Sequence, residues 1–154
     1  MKAEELMTRN VQKCSKDASL EQAARLMWES DVGCLVVTNA EDRPVGMITD
    51  RDIAMAAYTQ GARLQDVRVE SAMAREVKTC APNSSLSDVE HVMRTSQIRR
   101  VPVVESNGKL AGIVTLGDIA RSSQSSPLRA AEIPGLAKTL AAVTEPRSFA
   151  TAAQ

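Results

Sequence analysis

The chain has 154 residues, and its 19 basic residues balance its 19 acidic residues, so the formal net charge at pH 7 is zero. This balance gives no overall attraction to nucleic acid or to an anionic membrane. The aromatic residues are Trp28, Tyr58 and Phe149, too few for a surface that stacks single-stranded bases. A polar N-terminus and the lack of a long apolar run predict a soluble cytoplasmic protein without a membrane span.

The first part of the chain predicts a short helix, a brief strand, a helix, two strands and a further helix. Apolar residues at helical spacing between Leu20 and Met27 give the first long helix one apolar face. Ser19 and Gln22 can form a capping box at its start, and Gly61 can end the last helix. The expected elements are Ala3–Met7, Val11–Cys14, Ser19–Ser30, Cys34–Thr38, Val45–Ile48, and Asp50 to about Thr59.

The second part of the sequence repeats the first. A shift of 66 residues aligns 7–54 with 73–120 without a gap, which indicates a duplicated unit. Identical pairs include Met7/Met73, Cys14/Cys80, Leu20/Leu86, Met27/Met93, Val37/Val103, Gly46/Gly112, Thr49/Thr115 and Asp52/Asp118. The second unit therefore predicts strands near Val77–Cys80, Val101–Val104 and Leu110–Val114, helices near Ser85–Ser96 and Thr115–Ser123, and a hairpin turn at Asn107-Gly108.

The repeat divides the chain into a first unit at 1–61, a connector at 62–70, a second unit at 71–123 and a C-terminal tail at 124–154. A serine-rich stretch opens the tail and is typical of a linker. Further on, Ile133, Leu136, Leu140 and Val143 have the spacing of a short amphipathic helix that docks on its own domain, on a sister subunit or on a partner. The alternative is that 125–154 is largely disordered.

Each unit contains one G-x-x-T-x-x-D element where a strand leads into a helix. The first runs from Gly46 to Asp52 and the second from Gly112 to Asp118. The Thr and the Asp lie three apart on the first helical turn, beside unpaired backbone N–H groups and the positive end of the helix dipole. Such a turn suits a phosphate, and an ionised Asp, which only accepts hydrogen bonds, suits a ribose diol. The alternative interpretation is an ordinary helix cap.

These elements, the Met-Thr/Ala-Arg-x-Val pattern that opens each unit and the run Arg99-Arg100-Val-Pro-Val-Val resemble the CBS domain, the module named after cystathionine β-synthase. The resemblance covers roughly residues 3–123 and is closest to bacterial stand-alone CBS pairs. It implies an α/β fold of two β-α-β-β-α units that pack through their sheets by pseudo-twofold symmetry. It also implies two clefts that accept adenosine derivatives such as AMP, ADP, ATP or S-adenosylmethionine, and assembly into a flat homodimer.

By motif match, the resemblance assigns ribose binding to Asp52 and Asp118. It assigns phosphate binding to Thr49 and Thr115. Apolar strand residues would enclose the adenine ring.

The two sites are not expected to be equal. Arg99 and Arg100 align with Gly33 and Cys34, so only the second unit offers guanidinium groups from this strand edge. Their forked geometry suits phosphate, and a cleft that they serve is predicted to bind phosphorylated ligand more tightly. Arg51 is the nearby cation of the first unit. For both Arg99 and Arg100, the alternative is a solvated strand end or a salt bridge.

The leading hypothesis is a regulatory module that senses adenosine-type nucleotides and acts on an unidentified protein. The alternative is a structural or protein-interaction dimer whose clefts stay empty. An enzyme is not expected, since the sequence shows no nucleophile–base pair and no phosphate-binding glycine loop, and a DNA-binding motif is not evident. Cys14, Cys34 and Cys80 lack metal-ligand spacing, so they predict small buried side chains rather than a disulfide or a zinc site.

Overall fold

The computed structural model describes residues 1–124 and 135–145. The helices in these ranges are α1 (Ala3–Leu6), α2 (Leu20–Glu29), α3 (Asp50–Gln60), α4 (Leu86–Ser96), α5 (Leu116–Gln124) and α6 (Leu136–Thr144). The strands are β1 (Lys13–Ser15), β2 (Cys34–Thr38), β3 (Pro44–Thr49), β4 (Arg100–Val104) and β5 (Leu110–Thr115). Two short 3-10 turns, Leu64–Asp66 and Val69–Ser71, lie between α3 and α4. The mixed α/β fold predicted from the sequence is confirmed.

Several predicted element boundaries are confirmed by cap and turn geometry. Ser19 caps α2, and the capping box is present: Gln22 N donates to Ser19 Oγ at 3.1 Å, and Ser19 N donates to Gln22 Oε1 at 2.9 Å. Gly61 follows α3 with a φ of 61°, a left-handed conformation that glycine adopts without steric cost. Gly108, with a φ of 82°, lies in the tight turn that joins β4 to β5.

The strands form two small sheets. In the first, β1 runs parallel to β2, and β2 pairs antiparallel with β3. In the second, β4 pairs antiparallel with β5. We call β1, α2, β2, β3 and α3 the first unit, and α4, β4, β5 and α5 the second unit.

The strand predicted near Val77–Cys80 is wrong, because Cys80 alone bridges to Val103. In the first unit, the equivalent parallel ladder includes a bond from Val36 N to Gln12 O at 3.2 Å. The residue that aligns with Val36 is Pro102, which has no N–H to donate. The second unit therefore loses this bond, and its ladder is reduced to a single bridge.

Each unit has its own apolar core, and each core is completed by a segment that precedes the other unit in sequence. Ala3 and Leu6 of α1 pack in the core of the second unit. Val67, Val69 and Met73, which follow the first unit in sequence, pack in the core of the first unit. The chain therefore crosses between the units twice, and neither core is complete without a crossing segment.

Isolated β-bridges between the crossing segments and the units reveal pseudo-twofold symmetry. For each of these bridges, a second bridge joins the residues found by adding 66 to the number of one partner and subtracting 66 from the number of the other. The two symmetric pairs of bridges are Thr8–Ile113 with Met47–Ala74, and Lys2–Ser85 with Ser19–Arg68. An exchange of this kind is what a twofold axis between two copies of one unit produces.

The helix predicted in the C-terminal tail is present as α6, and it docks on its own domain. It packs against α4 and α5, and Leu136 and Val143 contact the core of the second unit. Ile133, the rest of the predicted linker at 125–134 and the residues at 146–154 lie outside the described residues. Within the described ranges, no helix combines the length and apolar character that a membrane crossing requires.

Candidate ligand-binding cleft

A cleft of about 230 Å³ lies between the two units. Its walls come from the segment between α1 and β1, from β2 and the residues just before it, and from β4, β5 and the start of α5. The lining residues are Thr8, Asn10, Val11, Gln12, Val32, Gly33, Cys34, Val36, Arg100, Ile113, Thr115, Asp118 and Arg121. Apolar strand side chains and charged groups thus face the same space.

Thr115 and Asp118 form a capping box at the start of α5. Thr115 N and Oγ1 donate to Asp118 Oδ2 at 2.8 and 2.6 Å, and Asp118 N donates to Thr115 Oγ1 at 3.1 Å. The alternative interpretation of this motif as a helix cap is therefore correct as a description of local structure. Because the Thr115 hydroxyl hydrogen is already donated, a phosphate could receive it only after this bond opened.

The second carboxylate oxygen of Asp118 is also occupied. Arg121 Nη2, one helical turn further along α5, donates to Asp118 Oδ1 at 2.6 Å. The side chain of Asp118 is 10% exposed and that of Arg121 is 73% exposed, so the carboxylate faces the cleft while the guanidinium reaches solvent. Arg121 was not among the predicted site residues, although its i,i+3 spacing from Asp118 is a signal for such a pair.

Arg100 brings a further positive charge to the cleft. It lies opposite Thr115 in the β4–β5 ladder. A side-chain carbon added at Gly33 would lie 3.6 Å from Arg100 Nη2 and 3.3 Å from Asp50 Oδ2, so the glycine leaves room for both charged groups. The Gly33 contact places Arg100 next to the start of β2. Burial raises the pKa of the Cys34 thiol there, and the charge of Arg100 partly opposes this rise.

The remaining predicted site residues lie outside this cleft. Thr49 and Asp52 form an equivalent capping box at the start of α3, in which Thr49 N and Oγ1 donate to Asp52 Oδ2 at 2.9 and 2.7 Å. Arg51 and Arg99 are exposed, and the carbonyl of Arg99 accepts a bond from Leu116 N at 3.0 Å. The structure therefore brings Arg100, Thr115 and Asp118 together, and it leaves Thr49, Asp52, Arg51 and Arg99 elsewhere.

Comparison with known proteins identifies the fold family. The family model of the CBS domain matches residues 3–58 and 67–125. The chain belongs to the CBS domain family. Among its relatives, the CBS domain-containing protein YhcV of Bacillus subtilis is 39% identical over 120 residues, which cover 78% of this chain and 84% of YhcV.

Solved CBS structures share the arrangement of the two units. The CBS domain pair of protein MJ0100, in complex with 5′-methylthioadenosine and S-adenosyl-L-methionine, matches with a TM-score of 0.71 and 26% identity, over 79% of this chain and 94% of that chain. CBS domain protein PAE2072 of Pyrobaculum aerophilum, complexed with AMP, matches with a TM-score of 0.70 and 26% identity, over 77% of this chain and 90% of that chain.

One wall of the cleft in this CBS pair was absent from the predicted site. Residues between α1 and β1, including Thr8 and Val11, reach the cleft because the backbone of Thr8 bonds to that of Ile113 in both directions, at 2.9 and 3.0 Å. The Met-Thr/Ala-Arg-x-Val pattern that opens each CBS unit was the available signal. It indicated the family, but it did not indicate that this segment would lie against the opposite unit.

The cysteines of the CBS pair are free and partly buried. Burial raises the pKa of Cys14 and of Cys80 to about 11, as expected for small side chains packed among apolar groups. In the part of the chain that the structure describes, no group of three or more His, Cys, Asp or Glu side chains is placed to hold a metal ion.

Proposed function

We propose that this CBS pair is a regulatory module that binds an adenosine-type nucleotide, of the AMP, ADP or ATP class, in the cleft at Asp118. The observation that carries the proposal is the convergence of Arg100, Asp118 and Arg121 on one cleft with apolar walls. A carboxylate that accepts hydrogen bonds suits the ribose diol, and guanidinium groups suit phosphate. The solved relatives in complex with AMP, 5′-methylthioadenosine and S-adenosyl-L-methionine support the adenosine class.

Each part of such a ligand has a matching wall in the proposed complex. Val11 and Val32, which line the cleft and are partly exposed, offer apolar surface to the adenine ring. Asp118 accepts from the ribose hydroxyls, and Arg100 donates to phosphate. At about 230 Å³ the cleft is smaller than the roughly 300–1,000 Å³ of typical ligand pockets. The side chain of Arg121 lines the cleft and is 73% exposed, so it is free to move aside and enlarge the space for a ligand.

The proposed role is regulation rather than catalysis. The thiol in the cleft, Cys34, has a pKa raised by burial, which disfavours the reactive thiolate. Because the walls come from both units, a ligand contacts the chain on each side of their interface and can favour one arrangement of the units over another. We propose that a protein partner responds to that change.

The alternative function is a protein-interaction dimer whose clefts stay empty, and one observation favours self-association in either case. Trp28 on α2 is 88% exposed, Tyr58 on α3 is 81% exposed, and Met55 is 46% exposed. Large apolar side chains exposed on the neighbouring helices α2 and α3 indicate an interaction surface. We propose that two copies of the chain associate through this surface.

Ligand binding is tested by thermal unfolding with AMP, ADP, ATP and S-adenosylmethionine. At a ligand concentration of a hundred times Kd, binding to the folded state adds about 2.7 kcal/mol to the free energy of unfolding, or about 5–11 °C to Tm for a chain of this size. An unchanged Tm with all four compounds contradicts the proposed function and favours the interaction dimer.

The role of Asp118 is tested by Asp118→Ala, which should weaken nucleotide binding by about 1.5–3 kcal/mol, the usual contribution of a hydrogen bond to a charged group. The same change removes a helix cap, so a matched control is needed. Asp88→Ala provides it, because Ser85 and Asp88 form an equivalent capping box on α4, with Ser85 Oγ donating to Asp88 Oδ2 at 2.6 Å. Equal loss of affinity in both variants, measured by calorimetry, contradicts the assignment.

A further inference from the structure

The carboxylate of Asp118, which lines the cleft, is already bonded to an arginine of the same helix, Arg121. Asp118 Oδ2 is held by Thr115 in the capping box, and Asp118 Oδ1 accepts from Arg121 Nη2 at 2.6 Å. Both oxygens that could accept a ribose hydroxyl are therefore engaged. Of the two interactions, the capping bonds belong to the start of α5, whereas the Arg121 side chain is 73% exposed and can leave without disturbing the helix.

The guanidinium group of Arg121 lies close to Gly117. A side-chain carbon added at Gly117 would lie 3.2 Å from Arg121 Nη1 and 3.5 Å from Thr115 Oγ1, which is tighter than an ordinary contact for the arginine. The glycine thus lets the guanidinium fold back onto the first turn of α5. The residue that aligns with Gly117 in the first unit is Arg51, so this fold-back is specific to the second unit.

The first unit also lacks the arginine itself. Met55 aligns with Arg121, and among the described residues no side chain donates to Asp52 Oδ1. The two copies of the motif share the capping box and differ in this ion pair. The ion pair is therefore a feature of the Asp118 cleft rather than of the helix cap.

Asp118 Oδ2 already accepts two hydrogen bonds and Oδ1 accepts one, so one of the roughly four acceptor sites of the carboxylate is free. A ribose diol that bonds to Asp118 through both hydroxyls must therefore displace Arg121, and the cost depends on what the ligand offers in return. An uncharged nucleoside leaves the guanidinium with water alone. A phosphorylated nucleoside supplies a new anion within the same cleft, and the forked guanidinium matches phosphate geometry. Arg121 can then exchange the carboxylate for the phosphate without losing a charged partner.

We infer that Arg121 is a specificity-determining residue that makes the Asp118 cleft select phosphorylated adenosine derivatives over uncharged ones. The inference rests on the proposed function, and it adds a reason for the selection: the arginine competes with every ligand for Asp118 but compensates only those that carry phosphate. Arg100, the cross-strand neighbour of Thr115, adds to phosphate binding, and among the described residues it does not donate to Asp118.

The test compares the Kd of AMP with the Kd of adenosine, by calorimetry, in the full chain and in Arg121→Met, which introduces the residue of the first unit. In the variant, AMP should bind more weakly and adenosine at least as tightly, so the ratio of the two constants should fall by about tenfold, equivalent to about 1.4 kcal/mol. Arg121→Lys, which keeps the charge but not the fork, should give an intermediate ratio.

Arg25→Met is the charge-matched control, because Arg25 is an exposed residue of α2 that does not line the cleft. It should leave the ratio unchanged. An unaltered ratio in Arg121→Met, or an equal change in both constants, overturns the inference while leaving nucleotide binding intact. If the wild-type chain binds neither compound, the proposed function fails first, and the inference falls with it.

Discussion

The glycine that opens each G-x-x-T-x-x-D motif lies beneath a crossing segment. A side-chain carbon added at Gly112 would lie 2.5 Å from Met7 Sδ and 3.0 Å from Thr8 O. At Gly46 the equivalent contacts are Met73 Sδ at 2.5 Å and Ala74 O at 3.1 Å. Neither glycine has the positive φ that would demand glycine on backbone grounds, so close approach of the chain is the reason for it.

Gly112→Ala should therefore destabilise the protein by about 1–3 kcal/mol, the usual cost of overpacking, and Gly112→Val should cost more. The methionine side chain can shift, but the Thr8 carbonyl is held by its bond from Ile113 N at 3.0 Å. Urea denaturation followed by circular dichroism measures the effect. Midpoints equal to that of the wild type in both variants would show that the crossing segment moves freely.

At the scale of single residues, the sequence predicts interactions between residues that are close along the chain. The capping interaction of Thr115 with Asp118 follows from three-residue spacing at a strand–helix junction, and it was predicted in outline. Arg121 is equally local, but its pairing with Asp118 and its close contact with Gly117 are seen only in the three-dimensional structure. The assignment of ribose and phosphate to these residues stays a prediction.

At the scale of elements, α6 docks over a buried carboxylate of α4. Glu90 is 4% exposed, and Gly135, just before α6, lies directly over it. Thr139 of α6 is fully buried; its hydroxyl accepts from Arg94 Nη1 at 2.9 Å and also bonds to the Glu90 carboxylate. Glu90 Oε1 has no hydrogen-bond partner among the described residues.

Burial raises the pKa of Glu90 above its ordinary value of 4.5, and Arg94 and Thr139 only partly oppose the rise. Since the folded-state pKa is the higher one, protonated Glu90 favours the folded state, and this stability is lost as pH rises from about 4.5 through the raised pKa. Glu90→Gln should therefore stabilise the protein relative to wild type at pH 7, with a difference that shrinks towards pH 4.5.

Thermal unfolding of both proteins between pH 4.5 and pH 8 measures this difference, and the other carboxylates cancel in the comparison. A Tm difference that stays constant across the range, or grows towards low pH, would contradict the assignment of the shift to Glu90.

Helices could be predicted where the apolar pattern extends over several turns and the capping residues are close in sequence, as for α2 and α4. The strand expected near Val77–Cys80 failed because its fate depends on Pro102, a residue of the neighbouring strand. The tail helix was predicted from the spacing of its apolar residues. Its docking on α4 could not be predicted, since the contacts of Gly135 and Thr139 with Glu90 are visible only in the three-dimensional structure.

For the molecule as a whole, α6 makes the two helical faces unequal. By the 66-residue shift, Ala24 and Trp28 of the first unit align with Glu90 and Arg94, which lie under α6. The face of the second unit is therefore covered by the chain itself, whereas the face of the first unit leaves Trp28 and Tyr58 exposed. A self-association surface is expected on the first unit.

Light scattering should accordingly give a mass twice the 16.6 kDa of one chain, and Trp28→Glu should reduce it to that of one chain, because a buried charge opposes an apolar contact. Leu140→Glu, a change of the same kind at a 49% exposed residue of α6, is the control and should remain a dimer. A wild-type chain with the mass of a single copy would contradict the proposal.

Because the chain crosses between the units twice, the boundaries of the sequence repeat do not coincide with the boundaries of the two apolar cores. Because the first core includes Val67, Val69 and Met73 while Ala3 and Leu6 belong to the second, the stretch that carries one whole core runs from about residue 9 to about residue 74. A fragment cut at the boundary of the sequence repeat loses the segment that completes the core of its unit, and so leaves that core open to solvent. New termini for circular permutation or gene fusion should therefore lie outside residues 9–74, since a cut within this range would separate parts of the first core from each other.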